Sequence, residues 1–98
     1  ALLAANTSTA VYTVPASNSA TGSILLCNTG IELAKIRLSI VDGLAADLAT
    51  EDYIEYDTEL PAGAVLERSG VIMSAGETVV AWADKNAVTV RVHGYEEA

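Results

Sequence analysis

A chain of 98 residues with 13 acids against five bases, and a formal charge of −8, has room for one domain built on one core. That charge repels the phosphates a nucleic-acid binder must neutralise and disfavours an anionic membrane surface, so neither direct nucleic-acid nor membrane partners are expected. No apolar run approaches the roughly 20 residues a membrane-crossing helix needs, and a composition with no Phe and one Trp leaves small and β-branched side chains, which suit strands, to fill the core.

The opening ALLAANTST, residues 1–9, reads either as an N-terminal arm lying on a neighbour or as a frayed end or first edge strand. An Ala start is what removal of an initiator Met leaves, which suggests synthesis in a cytosol. AVYTVP then gives a short strand stopped by Pro15, and ASNSATG is turn chemistry. SILLCN is a second strand. Its Cys27, the single cysteine, cannot form an intrachain disulfide and reads as a buried strand thiol.

In AKIRLSIV, Ile36, Leu38 and Ile40 alternate with Lys35, Arg37 and Ser39, which predicts a half-buried strand with one wet face. DGLAADLATED opens on an Asp-Gly turn, and its Leu44, Ala45, Ala46 and Leu48 suit one helical turn or an ordered loop. DYIEYDTEL follows as a strand with Tyr53, Glu55, Asp57 and Glu59 on one side and Ile54, Tyr56, Thr58 and Leu60 on the other. Pro61 and Gly63 close it, and AVLERSG returns with Glu67 and Arg68.

The SAGE turn joins an apolar run ending near Met73 to one through Val79, Val80 and Trp82, which predicts a hairpin with Trp82 filling the core. The last segment alternates Val88, Val90 and Val92 with Thr89, Arg91 and His93. Together these predict an all-β chain. It forms a single antiparallel β-sandwich or jelly-roll-like barrel of 7–8 short strands over residues 1–98.

Chemistry is hard to assemble from these residues. One Cys and one His fall short of a zinc site, the glycines are scattered at turns rather than gathered in a phosphate loop, and nothing in the sequence fixes a partner for His93, so no catalytic, metal or cofactor site is expected. Glu55, Asp57 and Glu59 would stand about 6.5–7 Å apart along one face. That spacing reads first as a solvated face, and next as a protein-contact surface formed by Tyr53, Glu55, Asp57, Glu59, Glu67 and Arg68. A carbohydrate platform on the tyrosines and Trp82 is a third reading.

The segments VYTVPA, SILLCNTG, AKIRLSIV, EDYIEYDTELPAGAVLERSGVIMSAGE and VRVHGYEE together resemble the small all-β virion structural proteins of tailed bacteriophages. The resemblance implies a non-enzymatic protein synthesised in the host cytoplasm and carried in the virion. A capsid decoration, or cement, role is implied first, with the major capsid protein or other virion proteins as partners and a homo-oligomer, trimer or dimer, as the assembled form. A tail, neck or baseplate component is the alternative, and a carbohydrate- or receptor-binding module the second.

Overall fold

The computed structural model describes residues 2–43 and 48–97. Its strands are β1 (Thr9–Thr13), β2 (Ser19–Asn28), β3 (Ala34–Asp42), β4 (Tyr53–Leu60), β5 (Val65–Met73), β6 (Glu77–Ala83) and β7 (Val88–Glu97). The helical turn or loop expected over Leu44–Ala46 lies outside the described residues. Among those described, the helical element is a single 3₁₀ turn, Thr50–Asp52.

Two antiparallel sheets face each other, one ordered β1-β6-β3-β4 and the other β5-β2-β7. Of consecutive strands only β3 and β4 are bonded neighbours, so every other connection crosses between the sheets. This exchange is the wrapping of a jelly-roll-like sandwich. It also corrects the expected hairpin around SAGE. The turn is present, closed by Glu77 N–H donating to the Ser74 carbonyl at 3.1 Å, but it carries the chain from β5 in one sheet to β6 in the other.

The interior follows the period-2 pattern. Ile24 and Leu26 from β2, Ile36 and Leu38 from β3, Val79, Ala81 and Ala83 from β6, and Val88 and Val90 from β7 are buried in one cluster. The opening residues are docked on this body: Leu3 is buried in the same cluster, Leu2 bridges to Thr89 and Ala5 to Ala83. Leu2 thereby extends the outer edge of β7, while Ala5 lies along the first sheet.

One end of the sandwich is organised by Asn28, the last residue of β2 and fully buried. Its side-chain amide donates to the carbonyls of Glu32 (2.7 Å) and Leu60 (2.9 Å) and its Oδ1 accepts from Gly30 N–H (3.0 Å). Its backbone N–H and carbonyl bind Ala64 and Gly63. The β2–β3 connection and the β4–β5 turn are thus tied to one side chain.

Candidate functional site

β4 does not keep the strict alternation its sequence suggests. Ile36 pairs with Thr58 but Leu38 pairs with Glu55, and Leu38 to Ser39 is matched by Glu55 to Tyr53, so β4 carries an extra residue at two places. Bulges of this kind re-aim side chains. Asp57 adopts φ of +51°, a left-handed conformation that a short polar residue tolerates.

The consequence separates the acids that the sequence places on one face. Asp57 turns to Arg37 on β3 (Nε to Oδ1, 2.6 Å), whereas Glu55 lies level with the core residue Leu38. Glu55 accepts from Thr58 Oγ1 (2.7 Å) and from Arg68 (3.0 Å), which reaches it from β5 in the other sheet. Glu59 is exposed opposite Lys35, and Glu67 is exposed opposite Leu25. Of the six expected contact residues, Tyr53 and Asp57 share one cluster, Glu55 and Arg68 form another at the gap between the sheets, and Glu59 and Glu67 join neither in an ion pair.

Tyr56, expected on the inner side, is exposed. Trp82 also departs from expectation: its neighbours Ala81 and Ala83 are the buried pair, so the indole stands on the outer face of the first sheet. There it meets Arg37, its direct cross-strand partner. The guanidinium lies over the Trp82 ring at 4.1 Å and over the Tyr56 ring at 4.4 Å, while Tyr56 meets Tyr53 edge-on at 4.8 Å. A partly exposed ladder of Tyr53, Tyr56, Arg37 and Trp82 therefore crosses β4, β3 and β6, with Asp57 fixing its central cation.

Arg37 and Trp82 were within reach of sequence reasoning. Each occupies an outward position in an alternating strand flanked by core residues, and that register outweighs the tendency of a large aromatic to be assigned inward.

The hydrogen bond from Arg37, together with its charge, holds the Asp57 carboxyl below the usual aspartate range, and the same bond raises Arg37. A carboxyl whose pKa is depressed on folding contributes fully above its unfolded value, and the contribution is lost as pH falls through the folded value. The Arg37–Asp57 tether should therefore persist from neutral pH through the ordinary aspartate range and break only below it. Trp82 is the single tryptophan and reports this directly. Its emission is expected to change in one step below that range, and Asp57→Asn to show altered emission already at neutral pH with no acid step. A wild-type midpoint at or above the ordinary range would refute the tether.

Elsewhere, His93 is exposed on β7 across from Ser23, and no hydrogen bond joins it to a nucleophile or carboxylate among the described residues. Cys27 is partly exposed on the outer face of β2 rather than buried, because its neighbours Leu26 and Asn28 take the inward positions. Among the described residues no group of three or more His, Cys, Asp or Glu is placed to hold a metal ion. Comparison with protein families, curated proteins and solved structures finds nothing that matches this chain.

Proposed function

We propose that this chain is a structural protein of a tailed-phage particle, a cement protein that seats on the head surface and bridges neighbouring capsomers. The observation that carries the reading is the outer-face ladder. Trp, Tyr and Arg are the residue types that dominate binding energy in protein interfaces, and here they are pre-stacked on rigid strands rather than on loops. Pre-organisation lowers the ordering cost of docking, which matters for a domain offering little area per copy. Arg37 places a charge between the rings, and Asp57 holds it there.

The resemblance of the sequence to small virion proteins supplies the partner, the head shell or, as the alternative, a tail, neck or baseplate component. A glycan-binding module is the second reading, favoured by Tyr56 and Trp82 standing on an outer sheet face. It is the weaker one, since the Arg37 guanidinium covers a face of each ring.

The test is whether the protein is found in particles purified from the source phage, and whether undecorated particles bind it. Trp82→Ala and Arg37→Glu are each expected to weaken particle binding about 30-fold, the equivalent of a ~2 kcal/mol hot spot. Absence of the protein from purified particles would overturn the reading, and binding of isolated glycans abolished by Trp82→Ala would favour the second.

A further inference from the structure

Among the described residues six large apolar side chains stand exposed; Tyr56 and Ile72 lie elsewhere, and the other four gather at one end. Leu2, Ile31, Leu33 and Val65 are all exposed and all belong to the end of the sandwich that Asn28 organises. Leu2 pairs with Thr89, Thr89 with Cys27 and Cys27 with Val65, a single row across the second sheet that ends at the same turns. Single exposed apolar residues are ordinary, but a group of them on one end marks an interaction surface.

Ile31 is the extreme member, 95% exposed at the tip of the β2–β3 connection. That tip is held in place. Gly30 N–H and the Glu32 carbonyl both bind the buried Asn28 side chain, and Thr29 donates its N–H and its hydroxyl to the Ala87 carbonyl at 2.8 and 2.7 Å. Gly30 lies so close to Ala87 that a Cβ there would come within 2.8 Å of the alanine methyl. The isoleucine is thus a fixed knob, and beside it is a recess of about 380 Å³ whose walls include Ala5, Asn86 and Ala87.

Charge indicates what fits there. The chain carries −8 overall, whereas the recess wall carries two acids, Glu32 and Asp84, and one base, Lys85, with Asp84 Oδ1 accepting from the Lys35 N–H at 2.9 Å. Glu32 and Lys85, both on the recess wall, form no ion pair within the chain among the described residues. A strongly acidic chain approaches its own copy most readily where its charge is partly offset, and a knob whose own connection carries Glu32, beside a recess whose wall also carries Lys85, is self-complementary under a two-fold rotation.

We infer that two copies of this chain associate end to end about a two-fold axis. Ile31 of each copy enters the recess of the other, and Glu32 of each faces Lys85 of the other. The apolar group supplies the buried centre and the two charge pairs fix the register. This pairing leaves the Trp82 ladder uncovered on the outer sheet face, and it does not depend on what that ladder binds.

Sedimentation velocity of the full chain over a concentration series tests the pairing. A reversible monomer–dimer equilibrium is expected, weakened at least tenfold by Ile31→Asp. Glu32→Lys and Lys85→Glu should each weaken it, and the two combined should restore it, a recovery that loss of folding could not produce. Circular dichroism of each variant should match the wild type, since Ile31 buries little in the monomer. A monomer at every concentration, a trimer, a dimer indifferent to Ile31→Asp, or a double swap weaker than either single change would each overturn the pairing.

Discussion

Replacing Asn28 with alanine is expected to cost the fold about 3–5 kcal/mol, a large part of the stability of a domain this size. The side chain is fully buried and makes three hydrogen bonds, two donated to carbonyls and one accepted from Gly30. Truncation leaves the Leu60 carbonyl buried without its donor, which alone costs about 1–3 kcal/mol, and the bonds to Glu32 and Gly30 add about 1 kcal/mol each because their sites are part-buried and can rewet. Asn28→Asp keeps the volume and the acceptor but sets a carboxylate oxygen against two carbonyls. It should be at least as damaging as alanine. Equilibrium unfolding in urea gives both values, and a loss under about 1 kcal/mol for alanine would mean that the connection and turn do not rely on this residue.

The Asn28 tie is what makes the end of the sandwich a usable surface. With the amide gone, the Ile31 tip loses both bonds to β2 and keeps only those to Ala87. Stability and surface presentation are therefore coupled through one side chain. Nothing in SILLCNTG reveals this, because an Asn at a strand end has the same local signature whether it turns the chain or bonds across 32 residues to Leu60.

What was legible in the sequence was wherever one local rule acted alone. In β3 and β7 the alternation of Ile36 and Leu38, and of Val88 and Val90, places the core residues correctly. Ser39, read as wet, is buried, with its hydroxyl donating to the Val80 carbonyl of the neighbouring strand. β4 was misread past its C-terminal residues because two inserted residues shift the register, and a bulge leaves no mark in the hydrophobic pattern of a strand this polar. Turn residues at Ser74–Gly76 announce a turn but not its destination, which depends on which sheet the next strand completes. The arginine–aromatic ladder followed the same division: Arg37 and Trp82 sit at readable outward positions, Tyr56 was hidden by the shifted register of β4, and the stacking depends on β6 lying beside β3, a long-range pairing.

Replacing Gly94 with alanine is expected to be the most damaging single change in the second sheet, removing cooperative folding or at least about 4 kcal/mol of stability. Gly94 on β7 pairs directly with Gly22 on β2, and a Cβ at Gly94 would overlap the Thr21 carbonyl and the Gly22 Cα, just as a Cβ at Gly22 would overlap the His93 carbonyl. These obstacles are backbone atoms of the central strand, so no rotamer change relieves them and the strands must part. β2 has little freedom to retreat. On its other side β5 carries an extra residue at Ser69–Gly70, with Gly70 at φ of +69°, in the register β2 now holds. Gly63→Ala provides the control: Gly63 also has a positive φ, +76°, but nothing lies within 4 Å of its would-be Cβ. That change should cost only the backbone strain, about 1–2 kcal/mol. Urea denaturation of both variants separates the causes, and equal losses at the two positions would mean that conformation alone, and not the close approach of β2 and β7, accounts for glycine at Gly94.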